Sequence, residues 1–299
     1  GASRAARGAP ARRDLMDIRP STVDASALDA YAGLFRACFP SATHLDSRYL
    51  RWLYADNPAG PVVGTDAWDG GRLAAHYVCV PAVARWKGRD CRVLLSLNTA
   101  THPDYQGKGL FTRLAERTYA EGARHGFSAV YGVANSNSTP GFVRKLGFGL
   151  VGALDARVGV GRIDRMAPAD RQRESDFHRV WTAEALHWRC ANPARPYRVD
   201  RISAEALGVS AATGWFGLRA WAELPSVIDP SAHGNPPRSL RLHLGLRPGR
   251  EGASTGAWVD IPGRLRASPL NLIFRSLEDG HPLPDPRAVF FGVLDFDAF

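Results

Sequence analysis

The sequence predicts an α/β fold in which a mixed, mainly antiparallel sheet is flanked by helices. Short apolar stretches meet at a hairpin signal, Asp69-Gly70-Gly71. Residues 27–39 and 47–54 repeat apolar side chains at the spacing of amphipathic helices. An apolar strand at residues 94–99 then runs through a glycine-rich turn into a third helix. The stretch from residue 95 to residue 148 contains this turn and carries the prediction of function.

The composition is that of a globular protein. The chain has 299 residues, of which 45% are hydrophobic and 22% charged, so it is long enough for one large or two ordinary domains. No apolar run approaches the roughly 20 residues needed to cross a bilayer. Residues 1–13 lack the apolar core of a signal peptide and are predicted to be a flexible tail or a cloning remnant. We expect a cytoplasmic protein that does not bind membranes.

Charge and cysteine usage narrow the possible partners. The formal net charge is +9, and the basic residues are almost all arginines spread along the chain. A basic protein attracts polyanions such as CoA or nucleotide sugars. Nucleic-acid binding would favour a concentrated basic stripe. Because the arginines are spread along the chain, no nucleic-acid binding is expected. The four cysteines form no C-x-x-C pair, which favours buried thiols in a reducing compartment over a metal site or disulfides.

The glycine-rich turn predicts an anion site. Gln106-Gly107-Lys108-Gly109 opens a helix in which Leu110, Phe111, Leu114 and Ala115 recur at helical spacing. Glycines let backbone N–H groups converge without interference from a Cβ atom. The helix start adds unpaired donors and the positive end of the helix dipole. Such a site suits a pyrophosphate, although turns of this kind also serve only as connections.

A second strand–helix unit follows directly. Residues 127–133 are predicted to form a strand ending at Ala134-Asn135, and Ser138-Thr139-Pro140 starts a short helix that Gly147 ends. HPDYQGKGLF and NSNSTPGFVRKLGF together resemble the GNAT acyltransferase superfamily over about residues 75 to 155. Its core motif is Q/R-x-x-G-x-G/A, followed by N…F/Y-x-x-x-G-F. The resemblance implies a GNAT fold and acetyl-CoA or another acyl-CoA as co-substrate.

The resemblance also implies a cofactor site. The pantetheine arm would lie along the backbone of residues 98–101, with the Thr99 N–H as oxyanion donor and Asn135 as a further contact. Lys108 and Arg113 lie near the phosphates or on a solvated helix face, and Asn135 is alternatively a turn residue. The predicted cofactor contacts are Asn98, Thr99, Ala100, Thr101, Gln106, Gly107, Lys108, Gly109, Leu110, Thr112, Arg113, Asn135 and Phe142.

Catalysis and acceptor binding have weaker signals. Direct acyl transfer needs a base for the amine and an acid for the departing thiolate. His44 and His76 are the candidate bases, whereas His102 precedes a proline and is interpreted as structural. Val143 lies where superfamily members often carry a tyrosine acid. Aromatic side chains stack on sugars or bases but are more often core, and an Asn-Pro pair also ends helices. The candidate acceptor contacts are Trp52, Tyr54 and Asn57.

A segment in the second half of the chain is similar in sequence to a segment in the first half. LRWLYADNP at residues 50–58 resembles LHWRCANP at residues 186–193, which suggests an internal duplication. No second glycine motif follows, so residues 161–299 are predicted to be a degenerate GNAT-like domain beside a GNAT domain at residues 14–160. Residues 269–277 are predicted to be helical, and residues 289–294 a closing strand.

These patterns predict an acyl-CoA-dependent N-acyltransferase that acts on the amine of a small molecule. The resemblance to tandem-GNAT sugar N-acyltransferases implies a nucleotide-linked amino sugar as acceptor, and the excess of arginine would suit its diphosphate. A protein or peptide N-acetyltransferase, an enzyme for aminoglycoside-like free amines and a non-catalytic acyl-CoA-binding protein remain alternatives. No bound metal is expected. The oligomeric state is expected to be a monomer or a homodimer.

Overall fold

The computed structural model describes residues 16–249, 256–266 and 268–296, and the predicted tail at residues 1–13 lies outside them. These ranges form two β-sheets with helices. The helices are α1 (Ala25–Cys38), α2 (Ser47–Tyr54), α3 (Leu110–Arg124), α4 (Thr139–Lys145), α5 (Pro168–Arg173) and α6 (Ala183–Cys190). The strands are β1 (Asp17–Pro20), β2 (Val63–Asp69), β3 (Arg72–Trp86), β4 (Arg89–Thr101), β5 (Ala129–Asn135), β6 (Gly149–Ala153), β7 (Asp155–Gly159), β8 (Phe177–Arg179), β9 (Arg198–Arg201), β10 (Ala206–Ala212), β11 (Leu218–Pro225), β12 (Leu240–Gly245), β13 (Trp258–Asp260), β14 (Leu270–Ser276) and β15 (Val289–Phe290).

The first sheet has the strand order β1-β2-β3-β4-β5-β14-β6, with β8 paired to β3 and β15 to β8. The predicted hairpin between β2 and β3 is confirmed, and Gly70 adopts a φ of 58° at its turn. Because side chains alternate along β3, Val78 packs in the apolar cluster with α1 and α2, and Tyr77 packs in the cluster with α3. Helices therefore cover both faces of this mixed, mainly antiparallel sheet, as predicted.

Each sheet contains a parallel strand pair that diverges after three residue pairs. In the first sheet β4 and β5 are paired from Val93 opposite Ala129 to Leu95 opposite Tyr131. In the second sheet, ordered β13-β7-β12-β11-β10-β9, the pairs run from Leu218 opposite Leu240 to Ala220 opposite Leu242. The same divergence at the same place in both sheets supports a duplicated fold.

The connection between the diverging strands differs between the two copies. The glycine turn and α3 join β4 to β5. Residues 226–239 join β11 to β12 with a single 3₁₀ turn and no α-helix. The second copy thus lacks the helix start on which the predicted anion site depends, in line with a degenerate copy.

The copies exchange their last strands, which corrects two sequence predictions. β6 stays in the first sheet while β7 pairs with β12, and β13 stays in the second sheet while β14 lies between β5 and β6. Residues 269–277, predicted as a helix, therefore contain a central strand, because pairing on both edges outweighs a local helical pattern. The closing strand is only β15, and a 3₁₀ turn at residues 293–295 follows it.

The repeated segments of the sequence meet in the fold. The rings of Trp52 and Trp188 stack with their centroids 5.1 Å apart. The Nε1 atom of each tryptophan donates to the main-chain oxygen of the other at 2.9 Å. Such a reciprocal contact is typical of a local two-fold axis. The boundary at residue 160 stays a prediction, since the exchanged strands tie both halves into both sheets.

Trp188→Phe is expected to lower the free energy of unfolding by about 1–3 kcal/mol. The change keeps an aromatic ring but removes the Nε1 donor and leaves the buried Trp52 oxygen without it. Urea unfolding measures the effect. Trp215→Phe is the control, because Trp215 is 78% exposed. Equal stability of Trp188→Phe and the wild type would contradict the expected contribution of the reciprocal contact.

Candidate active site

The glycine turn forms an open helix start. Gly107 and Gly109 have φ values of 76° and 68°, in the left-handed region that favours glycine. Gly109 directly precedes α3, and no side chain caps this helix end. A Cβ atom built on either glycine would meet nothing within 4 Å. The first N–H groups of α3 therefore point into open space, as a phosphate-binding turn requires.

Basic and aromatic side chains flank this turn. Lys108 Nζ lies 4.7 Å from the centre of the Tyr105 ring, and the Tyr105 hydroxyl donates to Asp69 at 2.7 Å. Gln106, Lys108 and Arg113 are all exposed. The cationic groups are thus close to the turn and accessible to an anion.

His102 has the structural role interpreted from the sequence. Its Nδ1 atom accepts a hydrogen bond from the Asp104 N–H at 3.2 Å, and it caps the 3₁₀ turn at residues 103–105. Arg72 reaches the same ring and also pairs with Asp104 at 3.0 Å. These contacts fix the loop that leads into the glycine turn.

The strand that carries the predicted pantetheine contacts is interrupted by a bulge. Along β3, His76 pairs with Ala100 and Val78 with Leu97, so β4 holds one extra residue at Asn98–Thr99. Asn98 has a φ of 52°. Its Nδ2 atom is buried and has no hydrogen-bond partner in the described part of the chain. The bulge thus presents an unused donor beyond the point where β4 and β5 diverge.

A buried polar network lies next to the bulge. His76 Nδ1 is 2.6 Å from Asp66 Oδ1, and His76 Nε2 is 3.2 Å from the Tyr54 hydroxyl. Asp66 also accepts hydrogen bonds from Ser21 at 2.7 Å and from Tyr31 at 2.7 Å. The Tyr31 ring stacks on His76 with the centroids 4.0 Å apart. His76 itself is fully buried.

The contacts fit one arrangement of hydrogen atoms in this network. In the tautomer with the proton on Nδ1, His76 donates to Asp66, and its Nε2 atom accepts from the Tyr54 hydroxyl. Burial raises the pKa of Tyr54 well above its usual value, an effect that the nearby Asn98 amide opposes. Tyr54 is therefore a neutral hydroxyl at physiological pH. The hydroxyl–imidazole–carboxylate order is the one used to move protons in catalytic triads.

His44 lies apart from this network. It is exposed in the loop between α1 and α2, with its ring edge-on to Tyr49 at 5.4 Å between centroids. Partial burial lowers its pKa, and so does the positive charge of Arg195. His44 is thus accessible to solvent, whereas His76 is buried and pairs through its strand with Ala100 beside the bulge.

Several predicted contacts have structural roles in this fold. Trp52 is buried against Trp188, and Asn57 is buried with its Nδ2 atom bonded to the Pro81 oxygen at 2.8 Å. The helix-stop and core interpretations therefore account for these side chains better than acceptor contact. The Asn135 side-chain oxygen accepts from the Ser138 N–H at 2.9 Å and closes the turn into α4.

The remaining predicted cofactor residues surround the bulge and the helix start. Ala100 is buried, and the Thr101 oxygen accepts from the Cys38 thiol at 3.4 Å. Phe142 packs against Phe111 with ring centroids 5.5 Å apart, which closes the side of the glycine turn that faces α4. Leu110 is buried under the turn, and Thr112 is half-buried.

Sequence reasoning missed Asp66, which anchors the buried network. A regular hairpin through Gly70-Gly71 would place Asp66 opposite Ala75. A register shift between Ala67 and Trp68 moves it opposite His76 instead. The available signal was a carboxylate within an apolar strand, because a buried charge needs a partner.

The fold and the site define the class of protein. Residues 17–151 match the model of the acetyltransferase (GNAT) domain family. This part of the chain is similar to GNAT acetyltransferase domains, and the protein is an acyl-CoA-dependent N-acyltransferase that uses acetyl-CoA or another acyl-CoA. None of the helices in the described ranges combines the length and hydropathy of a transmembrane segment.

Solved structures share the fold over most of the chain. A probable N-acyltransferase from Enterococcus faecalis is 11% identical with a TM-score of 0.59, covering 88% of this chain and 73% of that one. A GCN5-related N-acetyltransferase from Anabaena variabilis is 11% identical with a TM-score of 0.56 and the same coverage. A putative acetyltransferase from Pyrococcus horikoshii is 10% identical with a TM-score of 0.53, covering 96% and 98%. At these identities the similarity shows the fold alone. Comparison with curated proteins gives no match.

Proposed function

We propose that the protein transfers an acyl group from acyl-CoA directly to the amine of a small molecule, with the thioester bound where β4 and β5 diverge. The main support is the bulge at Asn98–Thr99. The Asn98 Nδ2 atom there is buried and has no hydrogen-bond partner among the described residues. A donor buried without a partner is costly unless a ligand satisfies it. The open helix start at Gly109 supports a pyrophosphate site on the same ligand.

The reaction needs two proton movements and no covalent enzyme intermediate. The amine nitrogen attacks the thioester carbonyl carbon and forms the C–N bond, and the negative charge moves to the carbonyl oxygen. The Thr99 N–H and the Asn98 amide are the proposed donors to this oxygen. Collapse breaks the C–S bond, the nitrogen loses one proton and the CoA sulfur gains one.

His76 is proposed to act through Tyr54. The Tyr54 hydroxyl donates to His76 Nε2, so it can accept a proton from the amine as it passes its own to the imidazole. Asp66 stabilises the imidazolium that forms. The return of the proton through Tyr54 then neutralises the thiolate. This relay supplies an acid where Val143 replaces the tyrosine expected from the GNAT resemblance.

A nucleotide-linked amino sugar is the proposed acceptor. Its diphosphate would suit the arginines of the helices that frame the acceptor side in GNAT enzymes. Arg36 on α1 and Arg48 and Arg51 on α2 are exposed, and Arg195 adds a positive charge near His44. Such a positive rim attracts a polyanionic acceptor. A cytoplasmic location, where acyl-CoA and nucleotide sugars occur together, belongs to the same proposal.

Calorimetric titration with acetyl-CoA and CoA, followed by an acceptor panel, tests this function. We expect micromolar binding of acetyl-CoA and release of free thiol only with an amino-sugar nucleotide. Thiol release with free aminoglycoside-like amines or with peptides instead would identify the acceptor as one of those classes. Binding without turnover on the whole panel would favour a non-catalytic acyl-CoA-binding protein. Absence of binding would overturn the proposal.

Tyr54→Phe is expected to lower kcat about tenfold and leave KM for acyl-CoA unchanged. The variant keeps the buried ring and removes the hydroxyl that links the acyl site to His76. Steady-state thiol release measures both constants. Tyr105→Phe is the control, because that hydroxyl bonds Asp69 outside the relay. An unchanged kcat in Tyr54→Phe would remove the relay from the mechanism.

A further inference from the structure

A cavity lies in the second sheet at the point where β11 and β12 diverge. Trp221 to Leu224 of β11 and His243 of β12 line it just beyond the last residue pair of the two strands. This position corresponds to the proposed thioester site between β4 and β5 in the first sheet. The second copy has thus lost the glycine turn and kept an opening between its parallel strands.

The C-terminal segment closes this opening. Phe291 exchanges two main-chain hydrogen bonds of 2.9 Å with Leu246, the residue that follows β12. Phe290 to Gly292, Leu294 and Asp295 line the cavity on this side. What is left is about 40 Å³ in which the centre of a water molecule can move, room for about three waters.

The carboxylates around the cavity already have donors on both oxygens. Asp164 accepts from Arg171 at 2.5 and 3.1 Å. Glu223 accepts from the Ile163 N–H at 3.0 Å and from Arg162 at 3.3 Å. The third carboxylate, Asp295, accepts from the Trp181 indole at 3.1 Å and from the Gly292 N–H at 2.7 Å. A ligand in the cavity therefore finds little acceptor capacity.

The histidine and arginine side chains that line the cavity differ from the carboxylates in their hydrogen bonds. His243 is 6% exposed, and its Nε2 atom has no hydrogen-bond partner within the described ranges. Arg247 donates from Nη1 to the Ile163 oxygen at 3.0 Å and pairs with Asp164 at 3.4 Å. The Arg179 guanidinium lies 4.1 Å from the Trp181 ring centre and also faces the cavity. Among the described lining residues, the buried side-chain atom without a hydrogen-bond partner is thus His243 Nε2, and arginine side chains lie beside it.

His243 is neutral and can still donate a hydrogen bond to an anionic ligand. Burial, together with the positive charges of Arg247 and Arg157, lowers the pKa of His243 to about 3. The neutral ring places one proton on either nitrogen, so it can donate from Nε2. Arg171 and Gln172 also line the cavity, and the apolar part of the lining includes Trp221, Leu224 and Leu294.

We propose that this cavity is a binding site for a small organic carboxylate of two or three carbons, whose oxygens accept from His243 and the adjacent arginines and whose carbon atoms pack on Trp221 and Leu294. A carboxylate supplies acceptors only, so it can accept from an Nε2–H of His243 and from the arginine side chains beside it. The apolar tail takes the place of the few waters that the cavity can hold.

Isothermal titration of the unchanged protein with propionate and propionamide tests the ligand class. We expect a millimolar Kd for propionate and a Tm rise of about 3 °C at 20-fold excess over that Kd. Propionamide has the same size and no charge, and its affinity is expected to be at least tenfold lower. Equal binding of acid and amide, or no binding of either, would overturn the proposal without any variant.

His243→Leu locates the site, because leucine has a similar size and no hydrogen-bonding group. We expect it to weaken propionate binding at least tenfold, because the unpaired Nε2 atom is lost from the cavity. His125→Leu is the matched control, since His125 ends α3 on the exposed surface of the first copy. Unchanged propionate affinity in folded His243→Leu would overturn the site. Acetyl-CoA binding in the same samples reports on the first sheet alone, so this result is separate from the proposed function.

Discussion

Gly109→Glu is expected to lower the affinity for acyl-CoA at least about 100-fold, or about 2.8 kcal/mol. The new side chain would point into the open space in front of α3, where its carboxylate repels the pyrophosphate and its atoms block the first N–H groups. The left-handed backbone at Gly109 adds a strain of about 1–2 kcal/mol. Calorimetric titration with CoA measures the loss of affinity.

Gly126→Glu separates the effect on the site from the effect on folding. Gly126 follows the other end of α3, has a φ of 76° and also has nothing within 4 Å of a built Cβ atom. Its backbone strain is therefore comparable, but it lies a helix length away from the turn. We expect the two variants to lose similar stability and only Gly109→Glu to lose CoA binding. Parallel loss of binding in both would point to unfolding instead of a blocked site.

His76→Ala is expected to lower the free energy of unfolding by about 3 kcal/mol. The change leaves the buried Asp66 carboxylate without its shortest partner, and breaking a buried pair in this way costs about 3–5 kcal/mol. Ser21 and Tyr31 still donate to Asp66, which favours the lower end of that range. Urea unfolding followed by circular dichroism measures the difference.

His44→Ala distinguishes the two candidate bases. His44 is exposed and packs only the edge of its ring on Tyr49, so its removal is expected to change the stability by less than about 0.5 kcal/mol. A folded His44→Ala variant with wild-type kcat would leave the proton transfer to His76 and Tyr54. A drop of kcat in His44→Ala with an unaffected Tyr54→Phe variant would reverse the assignment.

Local patterns were sufficient wherever neighbouring residues decide the geometry. The glycine turn, the N-terminus of α3, the β2–β3 hairpin and the helices α1 and α2 could all be predicted, because turn residues and helical periodicity act within a few positions. The predicted candidates Asn98, Gly107 and Gly109 follow from the same stretch. Their positions near one another depend on the strand–turn–helix order, which the sequence also displays.

Contacts between distant segments could not be predicted in this way. Residues 269–277 become a strand only because β5 and β6 offer free edges on both sides. Asp66 reaches His76 only through a shift of one residue in the hairpin register. The sequence left Trp52 open between a core residue and a contact for a sugar, and it is buried because Trp188, from the other half of the chain, stacks on it.

The sequence by itself determined the class of fold, the glycine turn that opens α3 and the pattern of a second, degenerate copy, since each rests on short patterns of residue type. Only the tertiary structure decided which strands the copies exchange, that Tyr54 bonds His76, and that a cavity remains between β11 and β12 with a histidine that has no partner among the described residues. Burial and hydrogen-bond pairing are properties of segments far apart in the chain, and a linear pattern does not specify them.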